Sequence, residues 1–185
     1  MIRAVLSTFL PLAAASITIG TAGSAAANEM DKKFFHQIEG EWVGPGEIVA
    51  GKYKGTKFTC SFTGSTPEIK VGMTLAGSCR VGVFTQKMSA TVERASNGYR
   101  GTFMDGAAGK GLDVISGNVD GRRVVLGLNR SSLNGAMIAK LANDDSMTVT
   151  VSVRVEKQMV PVIGMNLKRV DGAAVGSIAS SSSRD

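Results

Sequence analysis

The chain carries few residues with which to do covalent chemistry. Its single histidine, His36, stands beside Phe34 and Phe35. General acid–base work recruits histidine or pocketed carboxylates, whereas these apolar neighbours give His36 a packing or surface role. No Gly-x-Ser-x-Gly elbow presents a serine nucleophile, which would also need a base. The stretch "GAAGKG" over 106–111 has the composition of a phosphate loop without its spacing, and Gly111 stands where a hydroxyl residue would hold magnesium. It reads as a flexible turn. Asp144-Asp145 after Asn143 reads as a solvated turn, and the carboxylates form no metal-ligand pattern. Cys60, Cys79 and His36 together fall short of a structural zinc site. Met73, Met88, Met137, Met147 and Met165 could act as soft ligands, but at strand spacing they read as flexible core filler. The expectation is therefore a protein that is not an enzyme, with no catalytic residue, no metal and no cofactor.

The cysteines say more about compartment and register than about catalysis. Residues 1–27 have the layout of a secretory leader: Arg3 supplies a positive start, Val5 to Ile19 an apolar run broken by Pro11, and Ala25-Ala26-Ala27 a cleavage site, with cleavage expected after Ala27. The apolar run is short for a membrane span, and no comparable segment follows, so no transmembrane span is expected. No cysteine lies near the cleavage site for a lipid anchor. An exported chain with two cysteines pairs them, so a Cys60–Cys79 disulfide is expected, stabilising by about 3 kcal/mol in the chain-entropy model. The localisation expected is periplasmic or secreted.

The elements that position these residues follow from turns and alternation. Asn97-Gly98, Asp105-Gly106, Asp120-Gly121 and Asn134-Gly135 are favoured dipeptides for tight hairpins, whose central residues need positive φ. Between them, apolar residues alternate with polar ones. In "KFTCSFT" over 57–63, Phe58, Cys60 and Phe62 share one face; Met147 to Val155 repeats the pattern over its whole length. Such alternation marks strands with one buried and one wet face. Strands are predicted at 41–49, 56–63, 71–81, 84–94, 99–104, 112–119, 122–129, 135–141, 146–155 and 161–170. The sixth has no clear face. A helical segment over 31–38 precedes them, with Phe34, Phe35 and Ile38 on its apolar side.

The fold class is all-β: an antiparallel up-and-down meander of about eight to ten strands closed into a barrel, because a meander this long must remove its edges. The expected domains are the leader 1–27, a β-barrel over 28–170 and a serine-rich disordered tail over 171–185. If Cys60 opposes Cys79 in a hairpin, Phe62 opposes Gly77 and Phe58 opposes Val81, so the apolar faces coincide; a one-residue slip would destroy the agreement. Gly44-Pro45-Gly46 would let the first strand bend as the barrel curves. The inward faces would be lined by Phe58, Phe62, Leu75, Phe84, Met88, Phe103, Leu126, Met147, Val149 and Val151.

A short helix, then Gly40-Glu41-Trp42 opening the first strand, then a run of hairpins, resembles the calycin superfamily of lipocalins, fatty-acid-binding proteins and bacterial lipocalin-like or nitrobindin-like barrels. The resemblance implies that Trp42 packs across the closed end of the barrel beneath Arg169, a basic side chain at the end of a late strand. In "VIGMNLKRV", alternation puts Ile163, Met165, Leu167 and Arg169 on one face, and the ring of Trp42 could offer the guanidinium a cation–π contact. Nitrobindin-like barrels ligate haem through a histidine within the barrel; here His36 precedes the first strand, so haem is not expected.

Three functions fit these readings. The first is a binding barrel holding an apolar or amphipathic small molecule such as a lipid or fatty acid, as opposed to a core packed solid by the same side chains. The second is a protease-inhibitor-like module, since small exported barrels that inhibit bacterial metalloproteases share the Gly-x-Trp start and one disulfide; the inhibitory arm would be residues 28–33. The third is a structural envelope protein acting by surface contacts. The net charge of +6 concentrates at Lys52, Lys54 and Lys57, with Arg122-Arg123 elsewhere. Such lysines solubilise and protect edges, or attract an anionic headgroup, a fatty-acid carboxylate or an anionic membrane surface. Nucleic acid is not expected, because no aromatic platform interleaves the basic residues.

Overall fold

A computed structural model describes residues 23–96, 98–106 and 111–170. Residues 1–22 of the expected leader, the centre of the 106–111 turn and the expected 171–185 tail lie outside the described residues.

The expected meander closes into a ten-stranded antiparallel barrel preceded by one helix. Helix α1 spans Gly23–Gln37. The strands are β1 (Gly40–Ile48), β2 (Lys57–Ser65), β3 (Gly72–Val81), β4 (Phe84–Ala95), β5 (Gly98–Met104), β6 (Leu112–Asp120), β7 (Arg123–Arg130), β8 (Leu133–Asn143), β9 (Ser146–Val155) and β10 (Gln158–Arg169). Each pairs with its neighbours in sequence, and β1 pairs with β10 to complete the ring. Helix α1 starts earlier than the 31–38 segment anticipated, because the alanines preceding Asn28 are strong helix formers and extend it towards the N-terminus. It ends where Gly40, at φ 93°, turns the chain into β1.

The β2–β3 ladder pairs Cys60 with Cys79 and Phe62 with Gly77, the anticipated register. The cysteines form a disulfide. A Cβ at Gly77 would lie 2.7 Å from the Phe62 ring, which therefore lies over the glycine backbone.

One local reading is corrected and two gain a physical reason. The sixth strand lacks a clear face because it contains a bulge. The β6–β7 register shifts between Val114 and Ser116, leaving Ile115 exposed, so Leu112 and Val114 share the inner face with Gly117 and Val119 rather than with Ser116 and Asn118. Asn134-Gly135 is not a turn: both lie within β8, and the hairpin closes at Ser131-Ser132 between Arg130 and Leu133, with Ser131 at φ 52°. Gly135 answers crowding, since a Cβ there would come 2.6 Å from the Ser152 carbonyl oxygen. The glycines of β1 likewise serve close approach. A Cβ at Gly44 would lie 2.0 Å from the Asn166 carbonyl oxygen of β10, and one at Gly46 would meet the Phe58 ring at 2.2 Å.

Candidate functional site

The two ends of the barrel differ in kind. At the end where β1 begins, α1 lays Phe34, Phe35 and Ile38 across the opening, all buried with Trp42, Tyr99, Leu141 and Leu167. Trp42 is fully buried, and its Nε1 donates to the Ile38 carbonyl at 3.1 Å. Arg169 stands opposite Trp42 in the β1–β10 ladder, its guanidinium carbon 4.4 Å from the ring centroid. The same guanidinium donates to the carbonyls of Gln37 at 2.6 Å, Asp144 at 3.0 Å and Glu39. Helix ends leave carbonyls without intrahelical partners and carry partial negative charge, so Arg169 caps α1 while covering the tryptophan.

A second clasp holds the helix from its other side. Asp31 is buried, accepts a hydrogen bond from the Tyr99 hydroxyl at 2.6 Å and is ion-paired with Arg94. Arg94 and Tyr99 sit opposite one another on β4 and β5, with the guanidinium 5.7 Å from the ring centroid. Burial pushes the Tyr99 hydroxyl's pKa upward, and its bond to the Asp31 carboxylate pushes it further, so it stays a donor.

Toward the other end most strands turn a wetter inner face, although Cys60, Val114 and Leu128 stay buried there. Of the anticipated inward residues, Phe62, Leu126, Met147 and Val149 are buried in the sealed half. Phe58, Met88 and Val151 are only partly buried against the core, as is Leu75 in the helix-side half of β3, and Phe103 is half-buried. Phe84 is corrected: the ladder from Cys79–Gln86 to Val81–Phe84 gives it the inward parity, but it lies at the β3–β4 turn beyond the mouth and is 79% exposed. Parity sets the face of a strand, not the height along the barrel.

One ion pair at this end was not read from the sequence. Arg130, on the same face of β7 as Leu126 and Leu128, reaches Asp105 Oδ1 at 2.7 Å, and its Nε donates to the Gly111 carbonyl at 2.7 Å. The alternation of "VLGLNR" carries the signal, since it continues the inward face to Arg130. The clefts among the described residues include two open ones on this side of the molecule. One of about 570 Å³ crosses the outer wall at Pro45, Lys57, Thr148 and Asn166, where proline interrupts the β1–β10 ladder. The other, of about 620 Å³, lies at the β9–β10 turn between Val155 and Val160.

His36 lies outside the barrel, its Nδ1 3.2 Å from the Thr66 hydroxyl and 3.3 Å from Glu39 Oε1. Thr66 also donates to Glu39 through its hydroxyl, and through its amide at 3.2 Å. The hydroxyl hydrogen bond chiefly holds the Glu39 carboxyl below its ordinary pKa, with His36 adding to the effect. Histidine and carboxylate thus converge on one half-buried hydroxyl, which donates to Glu39, while His36 also lies within ion-pair reach of the same carboxylate oxygen.

Among the described residues no cluster of His, Cys, Asp or Glu could hold a metal ion, and no helix is long and apolar enough to cross a membrane. The chain matches no protein-family model and no curated protein.

Proposed function

We propose that the protein is a calycin-like binding barrel that takes an apolar or amphipathic small molecule, such as a lipid or fatty acid, through the end opposite α1. The observation that carries this reading is the gradient along the inner face. Trp42, Leu141 and Leu167 are sealed beneath the helix, whereas Phe58, Met88, Met137, Val151 and Met165 keep part of their surface open to solvent. Apolar side chains that line a closed wall and still meet water describe a mouth that an apolar ligand would dry favourably. Binding rather than catalysis suits a wall with so few ionisable groups. The disulfide fits an oxidising, exported location, periplasmic or secreted, to which the leader over 1–27 would direct the chain.

The inhibitor-like alternative is less well supported. Residues 28–33 lie inside α1, and Asp31 is bonded to Tyr99 and Arg94, so the segment is held against the barrel rather than presented as a free arm.

Native mass spectrometry of protein purified from its own cells, followed by solvent extraction, tests the binding reading. A co-purifying lipid is expected, together with thermal stabilisation by added fatty acid and weakened binding in Met88→Trp and Val151→Trp, which narrow the mouth. A strictly ligand-free mass with no thermal shift from fatty acids or other apolar compounds would sink it.

A further inference from the structure

The connections β1–β2, β3–β4, β5–β6, β7–β8 and β9–β10 all emerge at the end opposite α1, because the strands alternate in direction from a start at the helix. Exposed large apolar side chains concentrate there. Val83 and Phe84 on the β3–β4 turn are 89% and 79% exposed. Tyr53 stands exposed on the β1–β2 connection, and Leu133, Val155 and Met159 at the strand ends that flank the β7–β8 and β9–β10 turns. Scattered exposed apolar residues are normal on a protein surface, but their grouping at four of the five turns around one opening is not scatter.

Basic side chains share the same rim. Lys52 and Lys54 flank Tyr53, Arg154 and Lys157 flank Val155, and Lys57 and Arg80 stand at the adjoining strand ends. Among the described residues of this end, Glu156 is the acidic residue at a turn tip, Glu47 faces Lys57 and Asp113 stands at the start of β6, and Asp105 is paired with Arg130, so the balance is basic. The opposite end has a different balance: its connections and strand ends carry Glu68, Asp120, Asp144 and Asp145, with Arg122 and Arg123 paired to two of these and Lys70 paired with Glu93. The outer wall between the ends is largely polar, with Thr59, Ser61 and Thr63 on β2 and Thr148 on β9 exposed, and the outward apolar residues Ile115, Val125 and Ile138 lie on the neighbouring strands β6, β7 and β8 rather than in a band around the barrel.

We propose that this rim docks the barrel, mouth first, onto a membrane surface rich in anionic lipid. Separate apolar tips on different turns make no shared groove for a shaped protein partner, but each can sink into the boundary between headgroups and acyl chains. The lysines and arginines behind them meet anionic headgroups. The polar wall halts insertion at the rim, since a barrel that spans a bilayer turns an apolar band outward instead. Docking stands independently of the ligand reading; if both hold, an amphipathic ligand passes between bilayer and barrel without crossing water.

Vesicle co-sedimentation of the whole protein tests the docking. Partition onto phosphatidylglycerol–phosphatidylethanolamine vesicles is expected, with little onto phosphatidylcholine alone, and it should fall as salt rises. The Val83→Ser/Phe84→Ser and Lys52→Glu/Lys54→Glu pairs should each weaken partition by at least about fivefold. Ile69→Ser, which removes a 92% exposed side chain beside the helix end, should change nothing. All of these positions are solvent-exposed, and circular dichroism would show that the variants fold. No partition onto anionic vesicles, equal partition onto neutral ones, or an equal loss with Ile69→Ser would overturn the proposal. So would vesicle-free self-association abolished by the Phe84 variant, which would assign the rim to a second copy of the chain. Fatty-acid titration without vesicles reads the mouth separately: rim variants that lose vesicles but keep fatty acid leave the two readings distinct.

Discussion

Replacing Arg169 with alanine removes two main interactions at once, besides an ion pair with the exposed Asp145 carboxylate that adds little, and their sum can be worked from the geometry. The guanidinium lies 4.4 Å from the Trp42 centroid in a partly desolvated position, a contact worth about 1 kcal/mol. It also serves the carbonyls of Gln37, Glu39 and Asp144. Hydrogen bonds to a charged group are worth about 1.5–3 kcal/mol each when fully buried, but the side chain is 23% exposed. Water can replace part of what is lost, so about 2 kcal/mol is a fair total for the carbonyls. Arg169→Ala should therefore cost about 3 kcal/mol, equivalent to a fall of about 1.5 M in the urea midpoint at an m of about 2 kcal/mol/M. Arg169→Lys keeps the charge but cannot reach several carbonyls with one planar fork, and should lose about half as much. Trp42 is the chain's only tryptophan, so its fluorescence reports the site directly, with a red shift expected as the ring becomes wet. A stability change within about 0.5 kcal/mol for alanine, or lysine fully substituting for arginine, would refute the claim that this side chain closes the barrel.

Cys60→Ser/Cys79→Ser should lower stability by about 3 kcal/mol relative to the oxidised protein, and denaturing alkylation without reductant should add no label to the native chain; two labels would mean that the thiols are free. Phe62→Ala should cost about 3–4 kcal/mol and Phe84→Ala less than about 0.5, although both residues are phenylalanines on the inward parity; similar losses in thermal melts would contradict the placement of Phe84 beyond the mouth. Thr66→Val should return the Glu39 carboxyl toward its ordinary pKa, read by NMR titration of the side chain. Because that pKa is lowered in the folded protein, the stabilisation is present above the unfolded value of 4.5 and fades as pH falls through the lower folded value. Wild type and Thr66→Val should therefore converge at acidic pH, and a gap that widened there would show the sign to be wrong.

What could be read from the sequence, and what could not, separates along physical lines. Alternation in "KFTCSFT" and in Met147 to Val155 repeats at the strand period, and it placed those strands because one buried face is a local property of the chain. The Cys60–Cys79 register could be read because a slip would expose Phe62. Ile115 disrupts the same logic: one bulged residue exchanges the faces of β6, and only pairing with β7 reveals it. Phe84 shows the other limit, since its height depends on where the turn falls relative to the mouth. Arg169 was legible as an inward residue over Trp42, but its carbonyl partners on α1 and in the β8–β9 turn come from segments distant in sequence. The Asp31–Arg94–Tyr99 clasp is of the same kind, three residues joined only when the helix docks.

The ladder between β1 and β10 joins the earliest strand to the latest, and this sets an order of events. As the chain is made, β1 emerges with one free side, and the residues that complete that side arrive more than a hundred positions later. Hairpins from β2 to β9 can zip in succession, but the helix cap waits for Arg169. Such long-range closure slows folding and leaves an edge on which another chain could pair. Pro45 sits on that waiting edge without an amide to donate, and Gly44 and Gly46 give it little side-chain surface, so the segment is a poor template while it is unpaired. The proline that interrupts the finished seam thus protects the nascent chain.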